Sequence, residues 1–511
     1  MQSPLFMYRL SPQSSHSSSH RTRNLCVLMV FSAMLFFPTA RALPTFATRT
    51  TLATETTPKQ LTLEEAIGRA LRHNRQLRNS ALDLSTRQTS LDAARDRFSV
   101  QISPLSSINY SSSESEESDE EQVVWRVGGE ISKKFQNGIQ IGVAPSVAID
   151  DDAYGTGISC SLAVPLLRGF GRDVNLNTVF AQEYSLASSY RRLHRSRINI
   201  VLETVQAVYA LIRAQYLVQL YADQLSPLKG HLHTARIREK AGIGRSMDGY
   251  RAELRTKKVE QQLNSAKKHA AETADRLKDL LALPLDSPIA VQAPLDYTLI
   301  KIKLNEAVQI ALQHRIEITQ GRADITEALR KEKVAEHNTL PDLKLKLGYT
   351  RQGETEEFEN FLLPDQDIWS VALTSSTDWT RSAEKAALAN SRLTVDRNRL
   401  NLESSREKII REVRTVLNAL NASKERIALR REQIHQTTGK QRLAKIKFQY
   451  NEADNFDLLE AEAQLEQARI DLMTDETRYI TDGYRFRAAM GTLMAFPSSR
   501  GLLSANSSEA P

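Results

Sequence analysis

The sequence predicts an internally duplicated α+β membrane protein, built mostly from long α-helices with β-hairpins set between them. Three observations lead there. A helical segment near residue 61 recurs near residue 301, Ala- and Leu-rich runs keep coiled-coil spacing, and short alternating segments interrupt the helices in both halves. Among 511 residues there are only 20 glycines and 6% aromatics, which suits closely packed helices. A chain of this length is expected to divide into more than one domain.

The N-terminus comes first. Residues before Asn24 include Arg9, Arg21 and Arg23 and no acid. An apolar run, LCVLMVFSAMLFF, follows from Leu25 to Phe37. Pro38 breaks it, and Ala40-Arg41-Ala42 offers a cleavage site. This is a secretory signal-peptide pattern over residues 1–42, followed by a linker over 43–62. No later stretch has ~20 consecutive apolar residues, so a membrane role falls to β-strands. Removing the four arginines of residues 1–42 lowers the formal charge from +7 to +3, which leaves little case for a nucleic-acid partner. Cys26 lies in the leader, so Cys160 is the one thiol of the mature chain and no internal disulfide forms.

The duplication organises the rest. LTLEEAIGRALRHNRQLRNS begins at Leu61 and KIKLNEAVQIALQHRIEITQ at Lys301. Setting Leu63 on Leu304 also aligns Glu65 with Glu306, Ala66 with Ala307, Ala70 with Ala311 and His73 with His314. A later pair matches as well: Ala241–Leu254 with Asn451–Leu465, placing Asp248 on Asp457 and Glu253 on Glu462. The repeats are expected over 63–303 and 304–491, each reading helix, hairpin, long helix, turn, helix. A Ser-rich tail over 492–511 is expected to be disordered.

Helix lengths agree between the halves. Asn175–Ala241 and Arg381–Gln449 are long candidates, each about 67–69 residues or roughly 100 Å, with Pro227 expected to kink the first. Leu63–Phe98, Met247–Leu283, Leu304–Asn338 and Phe456–Met490 are about half as long. Two short helices end to end would match one long one, as in a tube wall of constant height. Leu458, Ala461, Leu465, Ala468 and Leu472 form one stripe at steps of three and four. Val259, Leu263, Ala266, Ala270, Ala274, Leu277 and Leu281 form another.

The alternating segments are Val100–Ser113, Val123–Phe135, Gly138–Ala148 and Gly157–Leu167 in the first half, and Leu343–Arg351 and Ile368–Ser375 in the second. Lengths near 9–11 residues suit tilted transmembrane strands. Ile158, Cys160, Leu162 and Val164 alternate with Ser159, Ser161 and Ala163, giving one face for lipid and one mild face. Asn137-Gly138 reads as a two-residue hairpin turn. Both strand groups enclose acidic loops, ESEESDEE at Glu114–Glu121 and GETEEFENFLLPDQD at Gly353–Asp367, which fit solvated tips or a cation-favouring rim.

These features together resemble the TolC-like outer-membrane efflux protein family: the paired LTLEEAI and LNEAVQIAL starts, PLLRGFG at Pro165–Gly171 and the two polar tips, over about Leu61 to Leu493. The resemblance implies a homotrimer. Three chains would share one outer-membrane β-barrel within the lipid and one α-helical barrel through the periplasm, with a periplasmic adaptor and an inner-membrane transporter docking at the tips. It makes the chain the channel of a tripartite efflux or type I secretion system. Carried over residue by residue, Asp248, Asp457 and Glu460 match an acidic periplasmic gate, and Gly242, Gly244, Ser246, Asn455, Leu458 and Leu459 match adaptor-docking tips. Asp457 and Glu460 also fit a simpler role, acids at a helix N-terminus favoured by the macrodipole. Two departures stand out: NEAD at Asn451–Asp454 replaces the usual Gly-containing turn, and the first half has four strand segments where members commonly show two.

Enzyme function finds no support. The sequence lacks GxxxxGK[ST], HExxH, CxxC and a Gly-rich dinucleotide fingerprint. His73 and His314 have no second ligand at metal spacing, so neither metal nor cofactor is expected. The competing reading is a periplasmic or surface coiled-coil scaffold without a pore, which the duplicated strand segments disfavour.

Overall fold

The structure is a computed structural model that describes residues 60–114, 119–150, 153–242, 246–296, 299–355, 365–450, 452 and 455–496. The expected signal peptide, the linker up to residue 59, Gly244, the tail beyond 496 and the middles of both acidic loops lie outside the described residues.

The first repeat opens with β1 (Gln60–Thr62), α1 (Leu63–His73) and α2 (Arg75–Asp96), then strands β2 (Val100–Glu114), β3 (Asp119–Lys134), β4 (Gln140–Ile149) and β5 (Tyr154–Pro165). A short α3 (Arg172–Asn175) leads into α4 (Asn177–Lys240) and α5 (Ser246–Leu280), and β6 (Ala290–Gln292) follows. The second repeat runs α6 (Leu304–His314), α7 (Ile316–Asn338), β7 (Leu343–Thr355), β8 (Gln366–Ser375), α8 (Ser382–Gln449) and α9 (Asn455–Ala489).

The helix pattern agrees with the sequence reading in order and length. α4 has 64 residues and α8 has 68, while α5 and α9 have 35 each. α4 runs through Pro227 without ending. One difference recurs in both halves: the expected helices 63–98 and 304–338 are each broken in two, at Asn74 and at Arg315. These positions coincide in the repeat register. Each has extended ψ, 130° and 126°, that no α-helix accommodates. Asn74 starts α2 by accepting the N–H of Gln76 at 2.9 Å, an ordinary N-cap. Arg315 has no such acceptor and is held by charge instead: its guanidinium donates to Glu317 at 2.9 Å and to Glu412 at 3.0 Å. Thr62 and Glu65 form a reciprocal capping box at the start of α1.

Two equivalent cores form. Ala66 and Ala70 of α1 and Leu77 of α2 pack with Ile200–Leu211 of α4, Leu277 and Leu281. Ala307 and Ala311 of α6 and Ile318 of α7 pack with Leu402–Ile427 of α8 and Phe486 and Ala489 of α9. The four alanines are fully buried, so the small side chain is what allows the axes to approach. The expected stripes line the α4/α5 and α8/α9 seams, with Val259, Leu263, Ala266, Leu277, Leu458, Ala461, Leu465 and Ala468 all buried.

Two local features were not legible. β1 and β6 form a parallel two-stranded sheet that ties the linker before α1 to the connection between the repeats. The beginning of the expected tail is packed: Leu493 and Met494 lie against the first core, and the Phe496 ring meets His194 edge-on at 4.9 Å.

The six longer strands form one antiparallel sheet in the order β2-β3-β4-β5-β7-β8. At the end of the sheet away from the helix junctions, Glu114 pairs with Asp119, Thr355 with Tyr154 and Gln366 with Gln352.

Candidate functional site

The strands build a wall with two chemically different faces. The register carries one row straight across all six strands: Ile102, Ile131, Val143, Cys160, Tyr349, Trp369. The adjacent row is Gln101, Ser132, Gly142, Ser161, Gly348, Ser370. Side chains alternate between faces along a strand, so the first row belongs to an apolar face and the second to a small, polar one. Further rows repeat this, with Val127 beside Val147 and Leu162 beside Leu347 and Val371 on the apolar face. Trp369 is 78% exposed and Val371 75%, although a water-soluble sheet would cover that face. A continuous outward apolar band with the polar side turned in is the pattern of a membrane β-barrel wall. No helix among the described residues is long and apolar enough to cross a membrane.

A collar joins this wall to the helices. Leu166 and Arg168 donate backbone N–H groups to the carbonyls of Leu343 and Pro341. Asn175 Nδ2 donates to the Gly169 carbonyl at 2.7 Å and the Gly171 carbonyl at 2.9 Å, the Gly169 N–H donates to His337 Nε2 at 3.2 Å, and Arg168 pairs with Glu384 at 3.0 Å. The PLLRGFG segment therefore links β5, α3, α7, β7 and α8. The β3–β4 connection rests on the same collar. It spans Phe135–Ile139, longer than the expected two-residue turn, and the Asn137 carbonyl accepts the Gly171 N–H at 3.0 Å. Gly138 has φ +101°, and a Cβ there would collide with the Gly169 carbonyl, so glycine is required twice over. Sequence reasoning singled out PLLRGFG but missed Asn175, whose partners lie four and six residues before it, and His337, whose partner Gly169 is 168 positions away.

The tips are built differently. Gly242 ends α4 at φ +70°, a left-handed position suited to glycine. Asp248 lies in the first turn of α5 and Asp457 in the first turn of α9. Asp248 Oδ1 is buried without a hydrogen-bond partner. Asp457 is exposed. Glu460 accepts from Gln464 at 2.8 Å and lies 3.9 Å from Lys440 Nζ. No hydrogen bond or ion pair among the described residues joins Asp248 to either of the other two acids. Ser246 and Asn455 open their helices. Leu458 and Leu459 are packed inside: Leu458 with Ala444 and Ala461, Leu459 with Leu228, Ala252 and Val259. The exposed apolar groups at this end include Met247, Tyr250, Tyr450 and Phe456. No group of three or more His, Cys, Asp or Glu among the described residues is placed to hold a metal.

A duplicated bundle of long helices bearing a two-faced strand wall defines a membrane channel subunit of the outer-membrane type. The chain belongs to the outer membrane efflux protein family, whose model matches residues 66–283 and 307–492, one segment in each repeat. Solved structures with the same fold include the CmeC outer membrane channel of Campylobacter jejuni, at TM-score 0.69 and 14% identity over 88% of this chain and 89% of that one. The CusC structure, described in terms of transmembrane channel formation, has TM-score 0.67 and 15% identity over 87% and 96% of the two chains. The MtrE outer membrane channel of Neisseria gonorrhoeae, in its open state, is 16% identical with TM-score 0.65 over 86% and 90%. No curated protein sequence matches the chain.

Proposed function

We propose that three copies of this chain assemble into a passive export duct. It crosses the outer membrane as a shared β-barrel and continues through the periplasm as an α-helical barrel. The observation that carries this reading is the wall: a sheet with one exposed apolar face, whose outer strands β2 and β8 have no further partner among the described residues. Lipid accepts such a face, and lipid also forbids open strand edges, so the sheet must close with other copies. α4 and α8, at 64 and 68 residues, carry the passage roughly 100 Å further.

A periplasmic adaptor would meet the tips around Gly242, Gly244, Ser246 and Asn455, and an inner-membrane transporter would supply the energy that the duct lacks. The exposed Met247, Tyr250, Tyr450 and Phe456 offer apolar contacts there, while Leu458 and Leu459 shape the tip from inside. Asp248, Asp457 and Glu460, each present three times, would form a negative constriction that concentrates cations and repels anions. The duct performs no covalent chemistry.

The test uses the processed protein purified in detergent. A trimeric mass together with discrete conductance steps in planar lipid bilayers is the expected result. A monomer that conducts nothing, released from membranes by mild salt, would instead support a coiled-coil scaffold.

A further inference from the structure

The two repeats differ in one respect. Between its half-length and long helices the second repeat has two strands, β7 and β8, whereas the first has four. β2 follows α2 as β7 follows α7, and β5 precedes α4 as β8 precedes α8, so the hairpin β3–β4 is the addition. We propose that this hairpin is a full part of the membrane wall, and that three chains close an eighteen-stranded barrel. The proposal rests on the trimeric duct and goes beyond it by fixing the width of the exit pore.

Three independent observations support it. First, β3 and β4 lie in the middle of the sheet and are paired on both sides, to β2 and to β5. A plug folded into the lumen or a loop standing in solvent would leave β2 and β5 paired with each other instead. Second, the hairpin carries the same two faces as its neighbours. Val127, Ile131, Val143 and Val147 continue the apolar face, and Gly128, Ser132, Gly142 and Ser146 continue the polar one. Third, its lower turn is anchored by Asn137 and Gly138 to the collar that holds the other strands.

Polarity and geometry agree with closure. Six is an even number, so β8 of one chain runs antiparallel to β2 of the next and the ladder continues without a break. At ~4.8 Å between strands and ~40° tilt, six strands span an arc of about 38 Å, and four would span about 25 Å. Beneath the wall, α2 packs on α4, α4 on α7 and α7 on α8. Four helices at 8–10 Å spacing cover roughly 32–40 Å. The six-stranded arc matches that helical layer in width. Eighteen strands give a barrel roughly 36 Å across between backbones, against roughly 24 Å for twelve. The small side chains of the polar row leave that width open.

The full-length protein in lipid nanodiscs tests this. In a Cys160→Ser background, Val127→Cys and Ser146→Cys are each labelled with bimane. If the hairpin is in the wall, nitroxide-bearing phospholipid quenches most of the Val127 label's emission and little of the Ser146 label's, while aqueous iodide does the reverse. Cryo-electron microscopy of the unlabelled trimer should count eighteen strands. A conducting trimer with twelve strands, or a Val127 label quenched by iodide and not by lipid, overturns the wide barrel and leaves the duct standing. Absence of a trimer altogether overturns both.

Discussion

The Arg315 guanidinium lies 3.0 Å from the Glu412 carboxylate, and this contact pins the break between α6 and α7 to the middle of α8. The same group reaches Glu317 at 2.9 Å, and its side chain is only 15% exposed. In the first repeat a neutral asparagine caps the equivalent break, so the duplicated architecture is kept by two different chemistries.

Replacing Arg315 with alanine should therefore destabilise the second repeat. It takes the guanidinium from Glu412, leaves Glu317 with Arg195 at 3.4 Å, and removes the partner of a chain break. A loss of about 2–3 kcal/mol is expected, below the full value for a buried pair because Glu412 is partly exposed. Thermal unfolding in detergent measures it. Asn74→Ala should cost less, about 1 kcal/mol, as the loss of an N-cap.

The pH dependence has a definite sign. Burial alone would raise the Glu317 carboxyl, but Arg315 and Arg195 overcome it and hold the group below its ordinary value of 4.5. A depressed carboxylate contributes stability that is full above its unfolded value and is lost as pH falls through the folded one. The melting temperature should accordingly drop on acidification below that ordinary value, and Glu317→Gln should flatten this part of the drop. Parallel curves for the two proteins would refute the assignment.

The wall predicts opposite outcomes for neighbouring residues. Cys160→Arg puts a charge on the apolar face at the middle of β5, where a cost of about 2–4 kcal/mol is expected, and outer-membrane assembly should fall. Ser161→Arg faces the other way and should assemble normally while altering conductance. Fractionation and heat-modifiable migration separate the two.

At the collar, Gly138→Ala forces a side chain into a left-handed backbone and against the Gly169 carbonyl. A penalty of about 1–3 kcal/mol is expected. Because the turn is shared by the wall and the PLLRGFG segment, the assembled yield should fall more than helical content by circular dichroism.

At the tips, the double change Asp457→Asn with Glu460→Gln should reduce cation selectivity in planar bilayers. Unchanged selectivity would leave these acids as helix N-terminal charges. Lys440 and Gln464 already engage Glu460, so Asp457→Asn alone is expected to produce the larger part of the effect.

The sequence by itself determined the periodic features of this protein: the duplication, six strands in two groups, the helix lengths, the seams of Ala and Leu and the alternation around Cys160. Each follows from local rules, 3.6 residues per turn or two per pleat, that any stretch of chain displays. Only the tertiary structure decided what depends on partners far apart in the chain. Arg315 meets Glu412, His337 accepts from Gly169, and Ile102 and Trp369 lie at opposite ends of one row although 267 positions separate them. The carried-over tip residues divide on the same ground. Leu458 and Leu459 are apolar in any reading, but whether they face a partner or their own helix pair is set by where α4, α5 and α8 pack, and they pack over both.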